Sequence, residues 1–487
     1  MAKLDDLADE LISDILSFLL QSSLSPFLDD DTPSSNGIIP HAYGERSELD
    51  RFRLVCCRFM RIATPRKFPR FVLRFSLDGF QRLEELLRMQ LACHVRYLTY
   101  MVRPFYQGSG WPDLLADDHL PAALIHRRRL HEQTAIVDGD HDLTLLRRAI
   151  AAFPSLQQIK LLRLQDAADE RLLDHLRRRR DDEEDASSSS TRLDWDCACT
   201  RAVTGLSVAL LESPITAVRF VGPQISPEAT LRLVHTPTTT LAALAARLSS
   251  LDVTFHAPKN LSTKMRALEP VFHDVFRAAT NLSAIHLGFP ATARPLSLPL
   301  DTVFHRVQWK RLRALSLHGW RVAADELIAL LRRHRRPLRE LRLTSVCLDD
   351  ARRGRWRDVL AVLHDEMDRL DRLDLRHINY ASHFVDPLDF PAGHLQDYTL
   401  PPAPAVLPPP AVALNIPSSS AAAAAAVGSV PVRGNARRAL TPATLDRLRS
   451  LAADDLGDNG VSVGREQGPL WEAWVLASPR NMVRQRE

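Results

Sequence analysis

Six cysteines in 487 residues are too few and too scattered for a disulfide framework, so reduced thiols in the cytoplasm or nucleus are the simplest reading. No stretch approaches the run of about 18 uninterrupted apolar residues that a membrane span needs. The acidic N-terminus lacks the basic, apolar and small-residue segments of a signal peptide. There is no Gly-rich phosphate loop, no GxSxG and no HExxH. Cys197-Ala-Cys199 has no second Cys or His pair at zinc spacing. His364-Asp365 sits on a helix-patterned stretch, and the other histidines are scattered. These absences argue against an enzyme, a metal site or a cofactor. The net charge of +4 gives no global argument for nucleic acid, although most of the positive charge is arginine. The runs at 127–129, 177–180 and 332–336 fall near helix C-termini, where cations complement the dipole.

What the chain does have is the balance of a soluble folded protein, 45% hydrophobic and 25% charged residues. Its length suits two or three domains or one long repeat array. LDDLADELISDILSFLL (4–20) carries Leu4, Leu7, Leu11, Ile15 and Leu19 at helical steps, thickened by Ile12, Leu16 and Phe18. A polar Ser/Pro/Asp loop (21–47) follows and cannot cover that stripe. SELDRFRLVCCRFMRIATPRKF then predicts one helix with Leu49, Phe52, Val55, Phe59 and Ile62 on a common face, Ser47 as N-cap and Pro65 as its end. Cys56 is expected to turn toward the packed side.

The middle of the chain repeats. The pattern apolar-x-x-apolar-x-apolar occurs as HVRYLTY, LQQIKL, ITAVRF, LSSLDV, LSAIHL, LRALSL, LRELRL and LDRLDL. Measured between the middle apolar residues, the steps are 61, 59, 33, 34, 30, 26 and 32. The first two are near twice the others, as if each hides a degenerate repeat. Helix-patterned intervals such as AADELIALLRRH alternate with the motifs. A short strand then a helix every 26–34 residues is the unit of a leucine-rich-repeat solenoid, with a parallel sheet on its concave side. The residues between the last two apolar positions (Lys160, Arg219, Asp252, His286, Ser316, Arg342, Asp374) are expected on the open face of that sheet. Residues 177–191 read as a solvated insertion, and 385–440 as an extended Pro/Ala linker. The segment 441–487, with Trp471 and Trp474, regains a helical pattern and suits a cap.

LADELISDILSFL resembles the first half of an F-box, with Leu7, Glu10, Leu11, Ile15, Leu16 and Leu19 in matching places. RLVCCRF resembles the second half through Arg53, Val55, Cys56 and Phe59, and IATPRKF its closing segment through Ile62, Ala63, Pro65 and Phe68. An F-box followed by irregular leucine-rich repeats, with an insertion between the F-box helices, is similar to the F-box proteins of filamentous fungi. The sequence departs from that pattern at Ala8, where the family has Pro, and in the long insertion 21–47. Alanine keeps the helix, and a loop about four times longer costs on the order of 1 kcal/mol.

The resemblance implies an α/β protein divided into an F-box helical domain (1–75, with the inserted loop 21–47), a leucine-rich-repeat-like solenoid (76–384), a Pro/Ala-rich disordered linker (385–440) and a C-terminal helical segment (441–487). It implies a non-catalytic substrate-recognition subunit of an SCF-type ubiquitin ligase. The Skp-family adaptor, and through it the cullin–RING ligase, would dock on Leu7, Leu11, Ile12, Ile15, Leu16, Leu19, Val55, Cys56, Phe59, Ile62 and Phe68. The repeats would hold a protein substrate; neither a membrane nor nucleic acid is implied as a partner. The alternative is a leucine-rich-repeat scaffold unattached to a ligase, its N-terminal helices serving as a solenoid cap.

Overall fold

The structure, a computed structural model, describes residues 7–21, 48–116, 122–182, 191–231, 237–257, 260–290, 295–349, 354–381 and 447–478. The expected loop (from residue 22 on) and the Pro/Ala stretch 385–440 lie outside these, as do Leu4 and Ser47. The fold is mixed α/β with parallel sheets and no closed barrel. Among the described residues no helix is long and apolar enough to cross a membrane. The chain divides into two compact units, 1–222 and 223–487.

Among the described residues three helices open the first unit: α1 (Asp9–Gln21), α2 (Glu48–Arg53) and α3 (Cys57–Lys67). The one continuous helix expected from residue 47 onward is broken at 54–56. The aromatic pair explains why. Phe52 and Phe59 stack at 4.4 Å with planes 4° apart, whereas residues seven apart on one helix are separated by about 10.5 Å along its axis. The break folds α2 back onto α3, which also brings Lys67 to Asp50 and the Arg53 guanidinium over the Phe68 ring (5.0 Å). Cys56, extended at φ −160° and ψ 170°, starts α3 and is solvent-exposed rather than packed. Pro65 does not end α3, which runs on to Lys67.

Among the described residues the strands of this unit are β1 (Arg70–Arg74), β2 (Tyr97–Val102), β3 (Phe105–Gln107), β4 (Gln158–Arg163), β5 (Arg192–Asp194) and the start of β6 (Val218–Ile225). β1, β2, β4 and β6 form a parallel ladder in that order, while β3 and β5 pair antiparallel apart from it. Parallel neighbours need long crossovers. These are supplied by α4 (Leu77–Arg88), then α5 (Trp111–Ala116), α6 (Ala123–Asp138) and α7 (His141–Ala151), then α8 (Ala167–Asp182) and α9 (Trp195–Glu212). The long first intervals therefore hide no strand of the ladder: β2 pairs directly with β4 and β4 with β6, and the extra length is helix. Residues 177–182, expected in a solvated insertion, continue α8 instead.

In the second unit α10 (Pro227–Leu231) and α11 (Thr238–Ala245) precede β7 (Leu248–Phe255). Next come α12 (Leu261–Ala267), α13 (Glu269–Ala278), β8 (Ala284–Gly288), β9 (Leu296–Ser297) and α14 (Leu300–Phe304). The regular part follows: β10 (Ala314–His318), β11 (Trp320–Val322), α15 (Ala324–Arg333), β12 (Glu340–Thr344), β13 (Cys347–Leu348), α16 (Trp356–Asp365), β14 (Arg372–Arg376) and β15 (Asn379–Tyr380). β7, β8, β10, β12 and β14 are parallel and stack motif on motif. Leu251, Ile285, Leu315, Leu341 and Leu373 are in register, as are Val253, Leu287, Leu317, Leu343 and Leu375. The residues between them form one row, Asp252, His286, Ser316, Arg342 and Asp374, on the opposite face. His286 and Ser316 are bonded within it at 2.7 Å.

One residue after each of the last three long strands the chain turns with positive φ, at Gly319 (72°), Ser345 (52°) and His377 (53°). Each turn launches a short strand of a second parallel ladder, β9, β11, β13 and β15. Ser345 and His377 make this turn with side chains, but at Gly319 a Cβ would lie 2.8 Å from the Phe289 carbonyl oxygen, so there the contact requires glycine.

The last helix, α17 (Gln467–Leu476), packs on β14 and α16. Trp471 and Trp474 are buried and donate their indole N–H groups to the carbonyls of Leu456 and Leu451, each at 3.0 Å. The Trp474 ring stacks on His364 at 4.2 Å. Gly468 sits where a Cβ would approach the Leu375 carbonyl to 3.1 Å, and Glu472 accepts the Leu375 N–H at 2.6 Å. Asp458 accepts from the Tyr380 hydroxyl (2.7 Å) and the Arg357 N–H (2.9 Å). This segment covers the outer edge of β14, an edge that would otherwise present unpaired backbone groups.

Candidate protein-docking surface

α1 carries two apolar rows, each an i, i+4 pair, about 100° apart around the helix. Ile12 and Leu16 form one row and are 1% and 2% exposed. Leu11 and Ile15 form the other and are 51% and 44% exposed. The first row is buried, with α1 lying against α3; the second faces water. Polar contacts hold the helix in this rotation. The Asp9 carboxylate accepts from Arg58 Nε and Arg61 Nη2, both at 2.6 Å, and Arg66 donates to Ser13 at 2.6 Å. Arg58 also donates to the Leu7 carbonyl. Hydrogen bonding from Arg58, reinforced by both guanidiniums, holds the Asp9 carboxyl below its usual range. Ala8 lies just outside α1, and its carbonyl accepts the Ile12 N–H at 3.2 Å, so the helix starts without a proline there.

The docking residues expected from sequence therefore divide. Leu11, Ile15, Val55 and Cys56 are exposed. Leu7, Ile62 and Phe68 are half-buried. Ile12, Leu16 and Phe59 (4% exposed) belong to the packed interior of the structure. Leu19 lies on α1, with its side chain outside the described residues. Sequence reasoning missed two exposed apolar residues, Leu54 (68%) and Met60 (47%). The break between α2 and α3 lifts Leu54 and Val55 together into solvent, and a continuous helix cannot reveal that.

Arg129 pairs with Asp166 and Asp169, Arg128 with Glu132, and Arg332 with Glu366. Cys199 is buried in α9, and the Cys197 backbone N–H donates to Asp194 at its N-terminus. Among the described residues no group of three or more His, Cys, Asp or Glu side chains is arranged to hold a metal ion. No protein-family model matches the chain, and no curated protein sequence matches it.

Proposed function

We propose that the chain is a substrate-recognition subunit of an SCF-type cullin–RING ubiquitin ligase. In this reading α1–α3 act as an F-box that binds the Skp-family adaptor, and the strand–helix units act as a leucine-rich-repeat array that binds a protein substrate. The observation that carries it is the two-sided α1, on which Ile12 and Leu16 are spent on internal packing while Leu11 and Ile15 stay in water. Exposed apolar side chains concentrated on a small helical unit, with Leu54, Val55 and Met60 adding to them, are the signature of a protein contact. Such a subunit performs no chemistry. It raises the effective concentration of a substrate lysine beside the ubiquitin-charged enzyme.

The test is co-purification of the full chain with the Skp-family adaptor, comparing wild type with Leu11→Asp/Ile15→Asp. Both positions are exposed, so the variant keeps its helical signal and thermal midpoint. Burying two such side chains in an interface is worth about 1.5–3 kcal/mol each before entropic costs, and affinity is expected to fall at least tenfold. If the adaptor binds neither chain, or both equally, the ligase reading is wrong. A repeat scaffold whose first helices only cover the end of its array then takes its place.

A further inference from the structure

We propose that a cleft at the carboxyl ends of β1 and β2 binds a short acidic peptide segment carrying one aromatic or large aliphatic side chain. The inference stands apart from the adaptor surface and does not depend on it. The cleft, about 390 Å³, opens where Arg74 ends β1 and Arg103–Tyr106 follow β2, with α6 as its wall. Its size suits one or two side chains.

The walls are built before any ligand arrives. The Gln133 amide grips both backbone groups of Tyr106, accepting its N–H at 2.8 Å and donating to its carbonyl at 3.2 Å. Behind the cleft Arg103 and Arg129 are locked to Asp166 and Asp169 at 2.5–3.0 Å, with Asp169 1% exposed. Two guanidiniums facing two carboxylates neutralise one another, so this quartet sets shape and does not recruit charge. The paired guanidiniums hold Asp166 well below the usual carboxylate range.

Recognition is left to the floor and the rim. The floor is aromatic, made of Phe75, Phe105 and Tyr106, each less than a tenth exposed. On the rim Arg74 is exposed with no acidic partner among the described residues, and Arg128, 77% exposed, meets the largely covered Glu132 (14% exposed) in a helical i, i+4 pair. Asp78, the second acid lining the cleft, is directed to Arg82. A carboxylate beside an apolar side chain matches this layout. What decides for a polypeptide over a free anion is the first turn of α6. Ile125, at the cleft, is 46% exposed, and its neighbour Leu124 is 76% exposed, the most of any large apolar residue described. A small anion leaves both in water, whereas a bound chain running over the rim covers them.

The test is fluorescence anisotropy on the full chain with fluorescein-labelled peptides Gly-Asp-Glu-X-Asp-Glu-Gly, X being Phe, Leu, Trp or Ala, and with a Gln-for-acid control of the Phe peptide. Saturable binding is expected for Phe, Leu or Trp, at least tenfold tighter than for Ala and for the Gln control. Arg74→Glu/Arg128→Glu, both exposed and neutral to folding, should weaken it at least tenfold. Leu11→Asp/Ile15→Asp should bind the peptide as wild type does, which separates this site from adaptor docking. The inference fails if no apolar-centred peptide saturates by about 1 mM, or if the charge reversal changes nothing. It also fails if tripolyphosphate displaces the probe and the Ala peptide binds equally, since the cleft is then a site for free anions.

Discussion

Replacing Trp471 with alanine is expected to destabilise the second unit by about 3–5 kcal/mol, the range for emptying a large aromatic site in a packed core. The residue is fully buried, and its indole N–H satisfies the Leu456 carbonyl, so the substitution leaves both a cavity and an acceptor without its donor. The consequence extends beyond lost packing. Among the described residues, 447–478 dock on this end of the sheet through side-chain contacts. Among them are Glu472 to the Leu375 N–H, Asp458 to Tyr380 and Arg357, Asp454 to the Arg357 guanidinium, Ser478 to the His364 carbonyl, and Trp474 on His364. Loosening α17 uncovers the edge of a parallel sheet, which terminal units of stacked arrays must cover to remain soluble. Urea melts should show the stability loss, and hydrogen exchange should show the β14 amides losing protection before those of β10. A loss below about 1 kcal/mol, or unchanged β14 protection, would mean that this segment rests on the edge without holding it.

Much of this arrangement is legible in the sequence, for a physical reason. Each of the eight motifs overlaps or adjoins a strand, because an apolar-x-apolar pair followed by a helix-patterned interval has few other ways to bury its side chains. The strand that escaped, β1, carries the same pattern as Phe68-x-x-Phe71-x-Leu73, and Leu73 is fully buried. Its Phe68 also fits the closing segment of the F-box pattern, so the same residue admits two readings. The long early intervals misled for the opposite reason. A period inferred from short crossovers leaves no room for paired helices such as α6 and α7. In α1 periodicity reveals a broad apolar stripe but not which edge is covered, since Leu11 and Ile12 are neighbours in sequence. That choice is made by Asp9, Ser13 and their arginine partners some fifty residues away. The cleft could not be read at all. Its floor and wall come from three separate segments whose meeting follows from the strand order.

The same cap should give the second unit a stability that depends on pH in an unusual direction. Burial pushes the Glu472 carboxyl up to about 7 from its ordinary 4.5, with Asp374 adding to the effect and the Leu375 N–H and Arg376 opposing it. Between those values the folded chain holds a proton that the unfolded chain has released. Stability is therefore highest below pH 4.5 as far as this group is concerned, and it falls as pH rises toward 7. The separation corresponds to about 3 kcal/mol. His334 acts in the opposite sense. Its Nδ1–H donates to the Leu330 carbonyl at 3.0 Å and its Nε2 accepts the Trp309 N–H at 3.2 Å, so both ring nitrogens are committed in the neutral form. Burial lowers it to about 4 from 6.5, and stability from this group falls as pH drops through that window. The two slopes nearly cancel in the native chain, so a wild-type profile alone reveals neither. Glu472→Gln separates them, because the carboxamide oxygen still accepts the Leu375 N–H but never ionises, while His334 is common to both proteins. In urea melts from pH 4 to pH 8 the variant should match wild type at the acid end and exceed it by about 3 kcal/mol at the alkaline end. An offset constant with pH would place the Glu472 carboxyl in solvent, and the contact of α17 with the β14 edge would lose its main polar tie.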